Sequence, residues 1–204
     1  MSPEPTVFIV DDDDGVRKGL TLLLTSVGLK VETFSGAHEF LRAFHPARPG
    51  CLVLDVRMPG MSGLELQEKL RSDGIETPVI ILTGHGDVPM AVRAVQTGAV
   101  DFIEKPFREQ VLLDRIQQAL LQDAKRRQDR ADRKAVQDRL TALTRREREV
   151  LKLVVAGKHN RDIAEALGVT VKTIEFHRSK IMQKTQADSV AELVRMVLES
   201  HETL

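Results

Sequence analysis

The chain has 204 residues, 42% of them apolar, and 30 Lys and Arg balance 30 Asp and Glu, so the formal charge is zero. That length accommodates one large domain or two modest ones with packed cores. With no Trp or Tyr and a single cysteine, Cys51, neither aromatic stacking of single-stranded nucleic acid nor a disulfide or zinc framework is expected.

The opening Met-Ser-Pro-Glu-Pro lacks a basic and then apolar leader, and no apolar run approaches the length of a membrane span. A cytoplasmic protein with no membrane contact is the expectation. The zero net charge hides a split. Residues 1–121 carry 12 Lys and Arg against 17 Asp and Glu, 122–143 carry 7 against 4, and 144–204 carry 11 against 9. An acidic front and a basic rear point to different partners for each.

In chain order, short apolar runs at 6–10, 31–34, 52–54, 79–82 and 100–103 read as strands buried on both faces. Helical patterns lie between and after them, at 16–27, 38–44, 63–71, 88–97 and 109–121. Strand and helix alternate five times, which predicts a doubly wound α/β domain over 1–121 with a five-stranded parallel sheet. Residues 122–139 are nearly all polar, and Asp123 and Arg127 stand four apart. This stretch reads as a charged, solvated helical linker.

No strand pattern follows. Thr144 with Glu147 forms a capping box opening a helix through 156. Asn160 can cap a second helix through 167, Thr170 a third over 171–184, and Ser189 a fourth through 198. The Gly168-Val169-Thr170 turn has helix-turn-helix spacing, so 140–204 is expected to be an all-α four-helix domain.

Several strands end on a polar residue: Asp11 and Asp12, Asp55, Thr83, and Lys105 just beyond the last. In a parallel sheet these ends converge on one crevice. Three carboxylates so gathered repel one another, and Mg²⁺, with Mn²⁺ as the alternative, would relieve them. Lys105 adds a fixed positive charge.

These residues carry a resemblance. Asp11-Asp12-Asp13, Leu-Asp-Val-Arg-Met-Pro-Gly at 54–60, Leu-Thr-Gly-His-Gly at 82–86 and Glu-Lys-Pro-Phe at 104–107 together resemble the receiver domains of two-component response regulators. The resemblance implies a flavodoxin-like fold in which Asp55 accepts a phosphoryl group from a cognate sensor histidine kinase. It also implies that Asp12, Asp55 and the backbone carbonyl of Arg57 hold Mg²⁺, with Asp11 contributing directly or through water. Lys105 and Thr83 would then contact the phosphoryl oxygens, with Phe102 as an aromatic switch and Lys105-Pro106 a cis peptide. The surface 88–104 would dimerise on activation. Without the resemblance, Phe102 and Cys51 read as core, Asp13 and Asp14 as first-turn helix charges, and His85 as a loop residue.

Residues 144–198 are similar to the LuxR-type helix-turn-helix domain, on Leu143-Thr144, Glu147, Glu149-Val150-Leu151, Asn160, Ile163-Ala164, Leu167-Gly168-Val169, Val171, Thr173-Ile174 and His177. Helical geometry turns Ile174, His177 and Ile181 inward, and Lys172, Glu175, Phe176, Ser179 and Gln183 outward. Glu175 would accept from a cytosine amine and Phe176 touch a thymine methyl. Arg178, Lys180, Lys184, Asn160 and Arg161 would hold phosphates, with Thr173 also in the interface. Thr185 replaces a usual apolar residue, which predicts looser packing at that helix end. The 189–198 helix would contribute a second dimer contact.

The expected protein is therefore a phosphorylation-activated transcriptional regulator of the FixJ-like subgroup, an activator, with promoter double-stranded DNA and RNA polymerase as partners and no turnover chemistry of its own. Two other classes use similar pieces. A haloacid-dehalogenase-like phosphohydrolase wants Asp-x-Asp directly after the first strand, whereas Asp55 follows the third. An RNA-binding antiterminator would keep the receiver and lack the helix-turn-helix.

Overall fold

The computed structural model describes residues 4–84 and 88–200. His85 lies outside the described residues. The chain divides into two compact units, Met1–Arg127 and Gln128–Leu204.

The first unit holds β1 (Thr6–Val10), α1 (Asp14–Ser26), β2 (Lys30–Phe34), α2 (Ala37–Ala43), β3 (Gly50–Asp55), α3 (Gly63–Ser72), β4 (Val79–Thr83), α4 (Val88–Gln96), β5 (Asp101–Glu104) and the start of α5 (Glu109–Thr141). The five strands form one parallel sheet in the order β2-β1-β3-β4-β5. Alternation within each strand explains the continuous apolar runs. Phe8, Val10, Leu52, Leu54 and Ile81 pack on one face with Phe40, Leu64, Leu66 and Ala94 from α2, α3 and α4. Val7, Ile9, Cys51, Val53, Ile80 and Leu82 pack on the other with Leu20, Leu24, Leu112 and Ile116 from α1 and α5. A strand covered on both faces keeps apolar side chains at every position. The order reverses between β1 and β3, which makes the carboxyl ends of those strands the topological switch point.

Local chemistry sets the boundaries near that point. Asp13 ends the β1–α1 loop as an N-cap, its carboxylate accepting from the amides of Gly15 (2.7 Å) and Val16 (3.2 Å). Helix α1 therefore starts two residues before the sequence pattern suggests. Ser62 and Glu65 form a capping box that opens α3. Its first residue, Gly63, passes so close to β3 that a Cβ there would lie 2.1 Å from the Asp55 carbonyl oxygen.

Helix α5 runs unbroken for 33 residues. Its second half was expected to be a solvated spacer, and residues 128–139 are mostly exposed, but the stretch just before them is held to the sheet. Asp123 is 4% exposed. Its carboxylate accepts from the Gly50 amide (2.8 Å) and from Arg127 Nε (2.7 Å). Arg127 also donates to the carbonyls of Pro46, Ala47 and Arg48. The i,i+4 pair read as a surface feature thus anchors the helix beneath β3, and the first unit extends past residue 121.

The second unit contains the end of α5, then α6 (Arg145–Val155), α7 (Asn160–Leu167), α8 (Val171–Thr185) and α9 (Val190–Glu199). One cluster gathers Leu140, Val150, Leu151, Val154, Ile163, Ile174, Ile181, Leu193, Met196 and Val197. Gly168 adopts a left-handed conformation (φ 65°) that closes α7 and turns the chain into α8. His159, rather than Asn160, occupies the cap position of α7, and the Asp162 carboxylate accepts from its amide (3.3 Å).

Among the described residues, no helix is long and apolar enough to cross a membrane.

Candidate functional site

The carboxyl ends of β1, β3 and β5 deliver three side chains to one point. Lys105 Nζ donates to Asp11 Oδ2 (2.8 Å) and to Asp55 Oδ1 (2.7 Å), joining positions 94 and 50 residues apart in sequence. Asp11 and Asp55 are both buried. Each carboxylate is also held by its own loop: Asp11 Oδ1 accepts from the Asp13 amide (2.9 Å), and Asp55 Oδ2 from the Arg57 amide (2.7 Å). Burial holds the Asp11 carboxyl above the usual aspartate range, despite its bonds to Lys105 and Asp13. Burial also pulls Lys105 downward, but its bonds to Asp11 and Asp55 outweigh that and leave it above the ordinary lysine value.

Thr83, the last residue of β4, is fully buried, and its carbonyl accepts from the Lys105 amide (2.7 Å). Phe102 lies opposite Ile81 and packs, half-buried, on the sheet face covered by α2, α3 and α4. The Lys105–Pro106 peptide is cis.

The expected three-carboxylate cup is not assembled as such. Among the described residues, no group of three or more His, Cys, Asp or Glu side chains is arranged to hold a metal ion. Asp11 and Asp55 converge on an ammonium, while Asp12 is exposed, and no hydrogen bond or ion pair holds its side chain among the described residues. A lysine bridging two buried carboxylates already offsets their mutual repulsion, so the third need not close in. The donors at hand are nevertheless hard oxygens, and an unengaged Asp12 at the rim fits an open, partly hydrated Mg²⁺ site.

In the second unit, Thr170 caps α8, its hydroxyl accepting from the Thr173 amide (3.2 Å). Ile174 and Ile181 are buried, whereas Lys172, Glu175, Phe176, Ser179 and Gln183 are exposed along the opposite side. His177 is half-buried, edge-on to Phe176 at 5.9 Å. Phe176 is 59% exposed, with Lys180 Nζ 5.9 Å from its ring centre. Arg161 is exposed at the start of α7, and Arg178 donates to Asn160 Oδ1 (3.1 Å), tying α8 to that start.

The profile described as "Response regulator receiver domain" matches residues 7–117, and that described as "Bacterial regulatory proteins, luxR family" matches 141–197. Transcriptional regulatory protein FixJ of Rhizobium meliloti is 46% identical over 193 residues, covering 95% of each chain. Nodulation protein W of Bradyrhizobium diazoefficiens is 45% identical over 195 residues, covering 96% of this chain and 86% of its own length. The solved structure of response regulator StyR superposes with a TM-score of 0.90 at 49% identity, over 96% of this chain and 99% of its own. Full-length FixJ from B. japonicum gives 0.58 at 38% identity, over 97% and 98%. This chain belongs to the FixJ-like response regulators.

This response regulator is accordingly a two-component transcriptional regulator that joins a receiver to a LuxR-type DNA-binding domain. At the end of α8, two residues have partners that the sequence did not indicate. Lys184, expected on phosphate, spends its ammonium on the buried Glu147 carboxylate (2.7 Å). Thr185, expected to loosen the end of α8, is fully buried, its hydroxyl donating to the Ile181 carbonyl (2.8 Å). That local bond satisfies the polar group, so the position packs like an apolar one.

Sequence reasoning also missed Arg17, whose guanidinium donates to the Asp11 carbonyl (2.7 Å) and to Asp14 (3.1 Å). Its one sequence signal is a cation at the first turn of a helix opened by four aspartates.

Proposed function

We propose that Asp55 is the phosphoacceptor and that its acyl phosphate switches promoter binding by the helix-turn-helix. The observation that carries this reading is Lys105 Nζ within 2.8 Å of both Asp11 and Asp55 at the switch point of the sheet. An ionised carboxylate needs no general base to attack. One Asp55 oxygen bonds to phosphorus while the phosphorus–nitrogen bond of a kinase phosphohistidine breaks and the electron pair returns to the imidazole. Lys105 is placed to follow an oxygen of the arriving phosphoryl group, and the Thr83 hydroxyl to donate to another. Asp11, Asp12, Asp55 and the Arg57 carbonyl would hold Mg²⁺, or Mn²⁺, which when bound supplies positive charge to the phosphoryl oxygens.

Phe102, half-buried opposite Ile81, is the side chain whose rotation would report occupancy to the α4–β5 surface, where Val92 and Val95 are exposed. Dimerisation there, and along α9 through Val190, Val194 and Leu198, would set two α8 helices on successive major grooves. Lys172, Thr173, Glu175, Phe176 and Ser179 would face base edges, with Asn160, Arg161, Arg178 and Lys180 toward phosphates. Activation of transcription in the cytoplasm through contact with RNA polymerase completes the reading.

Incubation with acetyl phosphate and Mg²⁺ should add one phosphoryl mass to the wild type, raise its sedimentation mass and tighten promoter binding. Asp55→Asn should lose all three responses. An Asp55→Asn protein that binds promoter DNA as tightly as phosphorylated wild type would refute the proposal.

A further inference from the structure

We infer that Arg17 is a positioning residue for phosphoryl transfer, fixing the Asp11–Asp12 peptide so that the Asp12 carboxylate is presented to the metal. The inference rests on the phosphoacceptor reading above and goes beyond it by assigning work to a residue on α1.

The acidic loop is internally committed. Asp11 Oδ1 takes the Asp13 amide and Asp11 Oδ2 takes Lys105. Asp13 is consumed as the cap of α1, and Asp14 pairs with Arg17 (3.1 Å) and Lys18 (2.6 Å). Asp12 alone remains open, so its direction depends on the backbone beneath it. That backbone is held at two points. The Asp11 amide donates to the Phe34 carbonyl (3.2 Å), and the Asp11 carbonyl accepts from Arg17 Nη1 (2.7 Å). The second bond fixes the plane of the peptide that carries Asp12. Without it, that plane is free to rotate and to carry the Asp12 side chain with it.

Arg17 suits this task. Its side chain is only 16% exposed, although its partner Asp14 is 61% exposed. Its own amide is bonded to the Asp13 carbonyl (3.0 Å), so the first turn of α1 sets its origin. The planar fork places Nη1 on the carbonyl and Nη2 on Asp14 Oδ1 in one fixed orientation, which a rotatable ammonium would not impose. A purely electrostatic role predicts the opposite sign. A cation beside an acidic pocket repels Mg²⁺, so its removal would strengthen metal binding.

The test uses the full-length chain and a small phosphodonor, which removes kinase contacts from the readout. Calorimetric Mg²⁺ affinity and the acetyl-phosphate phosphorylation rate, followed by intact mass, are measured for wild type, Arg17→Ala, Arg17→Lys, Asp14→Asn and Lys18→Ala. Arg17→Ala should weaken Mg²⁺ binding and slow phosphorylation, each on the order of tenfold, as expected for one lost charge-assisted hydrogen bond. Arg17→Lys should recover only part of the loss, and millimolar methylguanidinium should restore Arg17→Ala toward wild type. Asp14→Asn, which frees the fork but leaves the carbonyl bond, should fall between, and Lys18→Ala should match wild type. Should Arg17→Ala misfold, Asp14→Asn and Arg17→Lys carry the comparison. Mg²⁺ affinity that is unchanged or stronger in the Arg17 variants overturns the inference. Failure of wild type itself to take up phosphate would instead strike the phosphoacceptor reading.

Discussion

Asp11 occupies a position where ionisation is less favourable in the folded state than in the unfolded one, because burial outweighs the bonds it makes with Lys105 and Asp13. A carboxyl raised by folding contributes stability below its unfolded pKa, and that contribution is lost as pH rises through the folded value. Asp11→Asn removes the ionisation, so in metal-free buffer the receiver should unfold at higher temperature than wild type near neutral pH. The gap should narrow as pH falls toward the ordinary aspartate range, and equal melting temperatures across that range would contradict the assignment. Lys105→Met acts the other way, leaving two buried carboxylates without their shared cation. The cost at neutral pH should be about 2 kcal/mol in chelator, measured by urea unfolding. The identities of these residues were legible from strand ends alone, since a parallel sheet sends them to one crevice. The closeness of Lys105 to both carboxylates was not, because register and rotamer decide which charges touch.

At the scale of elements, all five strands and the helices between them followed from apolar periodicity. Ends moved where a side chain intervened, as where Asp13 draws the start of α1 back to residue 14. Only the start of the linker, at Asp123 and Arg127, departs from the expectation, and for a different reason. Its composition is that of a solvated helix, and a buried Asp123 is invisible unless β3 is known to begin beside it with an amide free to donate. Asp123→Ala strands the Gly50 amide and unpairs Arg127, which should cost the receiver about 3 kcal/mol in chemical denaturation. A loss below about 0.5 kcal/mol, the level of an exposed i,i+4 pair, would return the segment to a spacer. Glu147 gives a parallel case in the other unit. Burial alone would raise its carboxyl, but Lys184 and the Thr144 cap prevail and hold it below the usual glutamate value. A lowered carboxyl contributes stability above the unfolded pKa that disappears as pH falls through the folded one. Glu147→Gln keeps the capping box and loses the ion pair, so its destabilisation should be present at neutral pH and vanish in acid.

For the molecule as a whole, the charge split read from sequence puts the basic excess where DNA is to be met, but summed charge does not say which cations are available to phosphate. Lys180 and Lys184 lie on the same helix, four residues apart, and look equivalent in sequence. Their surroundings separate them. Lys180 sits near the exposed Phe176 ring, and its one polar partner among the described residues is Gln183 (3.2 Å). Lys184 is bound to Glu147. A lysine that neutralises a phosphate releases a counterion, so removing it lowers the salt slope of DNA binding by about one. Lys180→Ala should therefore flatten the dependence of promoter affinity on salt while leaving the melting temperature of the DNA-binding domain nearly unchanged. Lys184→Ala should do the reverse, lowering that temperature by leaving Glu147 buried and unpaired, with the slope preserved in protein that remains folded. Both quantities come from the same preparations, by fluorescence anisotropy across a salt series and by calorimetry. Equal slopes for the two variants would mean that Lys184 lets go of Glu147 on DNA, and that the interior ion pair belongs to the free protein alone.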